Sequence, residues 1–556
     1  MLTERLPSPE TLSLAEQVAQ MVVVRTTGHL FDHELEYPQW EASNADLQKY
    51  LALGVGGVIL LGGSAAEVGV RTQQLQSWAK YPLLIAADIE EGVGQRFSGA
   101  TWFAPPMALG EVARRDISLA VKLAEQMGEV TAQEAAAIGL NWLLAPVVDV
   151  NNNPDNPVIN VRAFGETADV VTQLTCAFIQ GAKKFPMLTS AKHFPGHGDT
   201  EMDSHLGLPV VSHDFERLQQ LELVPFAGAI AAGVDSVMTA HLQLPALDAD
   251  HPATLSKVAL SGLLRRDMGF DGLIVTDALV MGGIAQQYGA DEAAVLAVEA
   301  GADILLMPGD VEGAIAAICE AVESGRIAPG MILRAVERIW RAKHQIADLL
   351  VTDAPSRHAW QQRAVPPIQL EEIATESAIA LSTEILRASQ QVAHAPSQSL
   401  SQAIGAPLIP GQNLVLVDDL LHCRYLDRTA PAVMLPASQG YTLKLVDRRS
   451  ADVRTLDCTV TTLVQLFIRG NPFRGDRELR AIATAYLQAL GANLQAVVIY
   501  GSPYVWQQIQ AVLPAQTPCV FTYGQMKAAQ TCALQPLLNP TGSQEVAKAI
   551  DGTFTD

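Results

Sequence analysis

Eight short apolar runs, recurring through roughly the first 340 residues, restrict the fold of this chain more than any other feature of it. In order they read "QMVVVRTT", "VGGVILLGG", "PLLIAADIE", "NWLLAPVVDV", "MLTSAKHF", "DSVMTAHL", "GLIVTDAL" and "ADILLMPG". Unbroken Val, Ile and Leu without polar alternation is what a parallel sheet covered on both faces requires, because neither face meets water. Parallel neighbours also need a long crossover between them. Each gap is long enough for one, and stretches such as "SLAVKLAEQMGEVTAQEAAAIG" and "DEAAVLAVEAG" have helical periodicity. Eight strand-helix units of this size predict an α/β fold, a (β/α)8 TIM-like barrel. A doubly wound open sheet is the alternative with the same periodicity.

A chain of 556 residues exceeds one ordinary core. After "PGMILRAVERIWRAKHQIADLL" the pattern breaks into "VTDAPSRHAWQQRAVPP", polar with adjacent prolines, which reads as a linker. A helix, "LEEIATESAIALSTEIL", then leads to strand candidates "NLVLVDDL", "TVTTLVQLFIRG", "AVVIYGSPY" and "PCVFTYG". The expected organisation is a barrel over 1–345, a linker and connecting helix over 346–400, and a smaller three-layer α/β sandwich over 401–556.

The formal charge of -22 repels phosphate and so argues against nucleic-acid or anionic-membrane partners. The six cysteines form no CxxC or metal spacing and read as small buried hydrophobes in a reducing compartment. No basic start precedes an apolar core at the N-terminus, and no apolar run approaches the roughly 20 residues of a membrane helix. A cytoplasmic location is expected.

Polar residues at the C-terminal ends of barrel strands converge on one mouth. The third run ends at Asp88, with Arg96 eight residues on, and the fourth at Asp149, leading to Arg162. The fifth ends in Lys192 and His193, the sixth in His241 and the seventh in Asp277. This set suits cleavage of a glycosidic bond with retention, which needs an ionised carboxylate as nucleophile and a proton donor on the leaving-group side. Asp277 is placed for the first role. Glu90 and Glu91 are candidates for the second, as is His205 oriented by Asp203 in "DSH".

Other chemistries are less well supplied. His193, His197 and Asp199 give H-x-x-x-H-x-D, but Pro195, Gly196 and Gly198 break the helix a zinc pair would need. Ser190 and Ser204 lack a nucleophile elbow. "GVGGVILLGG" lacks the lysine of a phosphate-binding loop.

"AKHFPGHGDTEMDSH", "VINVRAFGE" and "GFDGLIVTDALVMGGI" together resemble the bacterial β-N-acetylhexosaminidase branch of glycoside hydrolase family 3, over roughly the first 345 residues. The later region looks like that family's accessory domain. The resemblance implies Asp277 as nucleophile, His205 as general acid/base with Asp203 as its dyad partner, and Asp88, Arg96, Arg162, Lys192 and His193 as sugar-binding residues. It implies a glycosyl-enzyme intermediate, no metal or organic cofactor, and release of terminal β-linked N-acetylglucosamine from small glycans such as cell-wall fragments. The chain departs from the family at "EEGVGQRF", where Glu91 replaces a glycine and Val93 stands where an arginine is common. Rival readings are a phosphorylase, a β-glucosidase or β-xylosidase of the same fold, and a non-catalytic sugar-binding protein. His197 and Asp199 are expected to hold the loop between them and His205 in shape.

Overall fold

The eight apolar runs are strands in the structure, a computed structural model that describes residues 6–200, 207–349, 367–393, 411–470 and 475–538. The chain divides into two units, Met1–Leu381 and Ser382–Asp556. In the first, β1 (Val22–Thr27), β2 (Gly57–Leu61), β3 (Leu84–Ala87) and β4 (Trp142–Leu143) are followed by β5 (Ser190–Phe194), β6 (Ser236–Thr239), β7 (Leu273–Val275) and β8 (Leu305–Leu306). One parallel sheet runs β4-β3-β2-β1-β8 and another β5-β6-β7. Parallel bridges Trp142↔Leu188 and Val147↔Lys192 join β4 to β5, and Val275↔Ile304 joins β7 to β8. The pairing therefore returns on itself, as a barrel does and an open sheet does not. Inside it, the Trp142 indole donates to Ser236 Oγ at 3.0 Å, linking β4 to β6 through the packed interior.

Helices cover the outside, and several begin where a short polar side chain takes an unpaired N–H. Ser13 and Glu16 form a reciprocal cap on Leu14–Gln20, and Asp116 and Asp310 cap Ile117–Ala137 and Val311–Glu323. Because the strands pair in parallel, their C-terminal ends lie at the same mouth.

One buried charge on this shell has a measurable consequence. Lys343, on the helix Pro329–Leu349, is 1% exposed; its Nζ donates to Gln20 Oε1 at 2.7 Å and lies 5.2 Å from the Trp340 ring. Burial pushes the ammonium down to about 7. The unfolded chain then holds a proton that the folded chain releases between about pH 7 and the ordinary lysine value of 10.5, so stability from this group rises with pH across that window. Lys343→Met is expected to raise stability at pH 7 by about 1–3 kcal/mol, since leaving Gln20 Oε1 without its donor offsets part of the gain. Denaturant melts at pH 7 and pH 9.5 check this: the advantage of the variant should shrink at the higher pH, and a variant that melts earlier at both would contradict it.

The second unit is a six-stranded sheet ordered β11-β10-β12-β13-β14-β9. Its strands are β9 (Gln391–Ala393), β10 (Gln412–Leu416), β11 (Thr442–Val446), β12 (Thr462–Ile468), β13 (Leu494–Gly501) and β14 (Cys519–Thr522). β9 is antiparallel to β14 and the rest are parallel. Helices Pro431–Ser438 and Lys527–Leu538 pack on one face, while Arg477–Leu490 and Pro503–Gln510 bury their apolar sides on the other, giving the expected three layers. The four expected strands are β10, β12, β13 and β14. β9 and β11 were not expected; both are edge strands, and β11 leaves Leu443 and Leu445 exposed. The expected connecting helix is Glu376–Ser389, and all but the last residue of the expected linker lies outside the described residues.

Candidate active site

The turn after β3 begins the site. Gly92 has φ +84°, and a Cβ there would stand 2.7 Å from Thr101 O, so the backbone needs glycine. Around that turn Arg96 folds back and donates Nε–H to Asp88 O at 2.9 Å, bringing its guanidinium to the strand end. Glu91, at the position where the resembled motif has glycine, is fully buried and accepts the Trp102 indole N–H at 2.9 Å, and Val93 is fully buried. The altered segment is thus taken up by packing, while the Asp88–Arg96 pair survives.

Ion pairs link this turn to the fourth and fifth strands. Lys192 Nζ lies 2.8 Å from Asp88 Oδ1 and 2.7 Å from Glu90 Oε1. Arg162 grips Glu90 with two bonds, Nε–H to Oε2 at 2.9 Å and Nη2–H to Oε1 at 2.8 Å. Its Nη2 lies 3.5 Å from His193 Nε2, and His193 Nδ1 lies 2.8 Å from Asp149 Oδ2. Asp149 further accepts the backbone N–H of His193 and, at 2.7 Å, of His197. Asp88, Arg96, Arg162, Lys192 and His193, all expected as sugar-binding residues, are therefore brought together in one chain of contacts. The Asp88 side chain is 39% exposed and Arg162 21%, against 1% for Lys192. Asp88 and Arg162 face the mouth, and Lys192 supports them from beneath.

The charges settle one another. Burial pushes the Glu90 carboxyl up, but Arg162 and Lys192 outweigh it and hold Glu90 well below the usual carboxylate range. Burial likewise disfavours the Lys192 ammonium, and Asp88 and Glu90 overcome it and raise it. For Asp88, burial is outweighed by Lys192 and Arg96, which lower it. Glu90 is thus held ionised, which does not suit the proton-donor role for which it is a candidate, and Glu91 lies fully buried against Trp102.

The loop after β5 is fastened from two sides. A Cβ on Gly198 would stand 1.7 Å from Val150 O, so this loop presses directly on the one after β4. Asn156 Nδ2 donates to His197 O and Gly198 O at 2.8 and 2.9 Å, and Asp199 pairs with His213 at 2.7 Å and with Asn152 at 3.1 Å. Burial pushes His197 down to about 4, so its ring is neutral near pH 7, with Nδ1 2.9 Å from Thr200 Oγ1. His193, His197 and Asp199 point at three different partners rather than at a common point. Among the described residues, the side chains close enough to share a metal ion are His29, Glu34 and Glu67, where Glu67 already takes Leu30 N–H and His29 Nδ1 and clamps the loop after β1. Asp203 and His205 lie outside the described residues.

Asp277 stands just past β7. Its Oδ1 accepts the Ala278 N–H at 2.7 Å, and its own N–H reaches Thr239 Oγ1 at 3.4 Å. Its charge is also felt at His197, across the mouth. A fixed carboxylate therefore shares the barrel mouth with a polar lattice suited to hydroxyl groups. Residues 13–342 match the glycosyl hydrolase family 3 N-terminal domain, and 409–539 match the bacterial glycosyl hydrolase family 3 C-terminal domain. The chain belongs to glycosyl hydrolase family 3.

This family 3 chain is 37% identical over 324 residues to the beta-hexosaminidase A of Pseudoalteromonas piscicida, an alignment taking in 52% of this chain and 54% of that protein. It thus spans little more than half the length of that relative. It is 38% identical over 266 residues to a beta-hexosaminidase of Tolumonas auensis, covering 47% of this chain and 78% of that one. Among solved structures, a family 3 beta-N-acetylglucosaminidase from Paenibacillus sp. is similar with a TM-score of 0.76 at 30% identity, over 95% of this chain and 97% of that chain. No helix among the described residues of the family 3 chain is long and apolar enough to cross a membrane.

Two members of the lattice were missed from sequence in their actual parts. Glu90 reads from sequence as a candidate acid and is an ion bridge; Asp149 reads only as a strand-end acid and holds His193. Their partners are distant in the chain, 72 residues from Glu90 to Arg162 and 44 from Asp149 to His193, so no local motif contains the pairs.

Proposed function

We propose that this chain is a retaining, exo-acting β-N-acetylhexosaminidase that removes terminal β-linked N-acetylglucosamine from small glycans, cell-wall fragments being the preferred class. The observation that carries the reading is the Asp277 carboxylate, immobilised at a strand end in the same mouth as the Asp88–Lys192–Glu90–Arg162 lattice. Asp88 and Arg162 offer an acceptor and a cationic donor to vicinal hydroxyls, which orients the sugar for attack. The Asp277 carboxylate is assigned to attack the anomeric carbon as the aglycone oxygen leaves with a proton from His205. The bond to carbon forms as the glycosidic bond breaks, and the ester is then hydrolysed by a water that returns its proton to His205. Asp203 holds the imidazole and stabilises its cation. These last two roles rest on the resemblance of "DSH", and the names of the two hexosaminidase relatives support the sugar preference.

The organisation into a catalytic barrel over 1–345, a connecting stretch over 346–400 and a C-terminal sandwich over 401–556 belongs to the same proposal. The two family matches leave 343–408 between them, in support of it. The free state of all six cysteines supports a cytoplasmic site of action.

The test compares aryl N-acetyl-β-glucosaminide, β-glucoside and β-xyloside with one preparation, with and without phosphate. The first is expected to be preferred by about tenfold or more in kcat/KM, the scale of a group's contribution in a fitted pocket. Product should be free sugar at a rate indifferent to phosphate. Preference for the other glycosides would move the chain to a different branch, and phosphate-dependent sugar 1-phosphate would make it a phosphorylase.

A further inference from the structure

His241 ends β6 in the sequence reading and has no part in the chemistry just described. Its ring is fully buried, as are the side chains of Thr239 and Thr254. The three form a closed circuit with the peptide of Asp277. Asp277 N–H points to Thr239 Oγ1 at 3.4 Å, Thr239 Oγ1 is 2.8 Å from Thr254 Oγ1, and Thr254 Oγ1 is 2.9 Å from His241 Nδ1. His241 Nε2 is 3.0 Å from Ala278 O, and Ala278 N–H returns to Asp277 Oδ1 at 2.7 Å.

The carbonyl end of this circuit fixes one donor. A carbonyl oxygen only accepts, so the hydrogen between His241 Nε2 and Ala278 O comes from the ring. Asp277 N–H donates to Thr239 Oγ1, and the two threonine hydroxyls and His241 Nδ1 share the links between. The Thr254 hydroxyl also donates to Ala240 O at 2.9 Å, which ties the circuit to the backbone just past β6.

We infer that Thr239, Thr254 and His241 are positioning residues that hold the Asp277–Ala278 backbone from both sides and so fix the carboxylate through the Ala278 N–H. The inference rests on the reading of Asp277 as nucleophile. Three residues of β6 and the segment after it thus reach the nucleophile's main chain rather than the sugar, so their loss misplaces the attacking oxygen and leaves the binding lattice of β3 to β5 untouched.

Thr254→Val keeps the shape and removes the hydroxyl; Thr254→Ser keeps the hydroxyl. On an aryl N-acetyl-β-glucosaminide, Thr254→Val is expected to lose about tenfold or more in kcat and in the single-turnover rate of glycosyl-enzyme formation, with KM within about twofold. Thr254→Ser should restore most of the loss. Thr239→Val and Thr239→Ser repeat the comparison on the neighbouring link, and denaturant melts of each show how much folded enzyme is assayed. Wild-type kcat in a folded Val variant, or Ser variants as impaired as Val, overturns the inference. Asp277→Ala measured alongside separates the two layers: an active Asp277→Ala sinks the nucleophile reading, whereas an inactive one beside a fully active Thr254→Val and Thr239→Val sinks only the positioning.

Discussion

Asp277→Ala is expected to lower kcat on an aryl N-acetyl-β-glucosaminide by about 10³-fold or more while the chain folds normally. Removal of a nucleophile in a site whose other groups stay in place leaves only the residual acceleration from binding and orientation. Asp277 is partly exposed and makes its bonds to Ala278 and Thr239 at the end of a strand, so truncation opens no core cavity. The lattice at β3 to β5 is made of other residues, and KM should move little. Steady-state kinetics with a melt of the same sample check both halves. External azide adds a sharper readout, because a small anion entering the vacated space would give a glycosyl azide of inverted configuration. A variant with wild-type turnover would remove Asp277 from the chemistry.

Glu90→Gln should do the opposite, harming both stability and binding. Glu90 is the anion shared by Arg162 and Lys192, and the amide cannot neutralise them. Breaking a buried pair by removing one partner typically costs about 3–5 kcal/mol. Lys192 retains Asp88 and Arg162 retains only more distant acids, so Arg162 is expected to shift and kcat/KM to fall by about 10²-fold. The pH dependence carries a signature. Because the folded carboxyl lies well below its ordinary value of 4.5, its stabilisation is complete above that value and is lost as pH falls toward the folded value. Glu90→Gln should therefore lose part of the wild-type decline in stability on acidification. A variant as stable and as active as wild type, with an unchanged acid limb, would show that the bridge is idle.

What sequence conveys here follows from how each part is buried. The eight barrel strands are legible because both of their faces are covered, which makes them uninterrupted apolar runs. β12, buried along its whole length, is legible for the same reason. β11 is not: it lies at an edge, and Lys444 between exposed Leu443 and Leu445 gives it no clear inner face. In the site, strand-end residues announce themselves by position, so Asp88, Lys192, His193 and Asp277 could be picked from the runs alone. Glu90 could not be given its part, since an acid two residues past a strand end looks the same whether it donates a proton or neutralises two cations. The circuit around Asp277 is equally hidden, because Thr239 at a strand end signals only β propensity and its partner Thr254 lies 15 residues away in a helical turn.

The alternation of charge across β3, the loop after β4, and β5 also bears on how the barrel assembles. In a strand buried on both sides, apolar side chains alone discriminate poorly between one register and the next, since a slide by one residue exchanges one set of aliphatic groups for another. Lys192 removes that degeneracy. Moved by one position it would carry its ammonium to the opposite face, among aliphatic helix residues, and bring Ala191 or His193 to Asp88 and Glu90 in its place. The carboxylates would be stranded along with it. The residues proposed to receive the sugar thus also act as an alignment gauge for the fifth stave, and a misaligned barrel would leave this lattice unassembled.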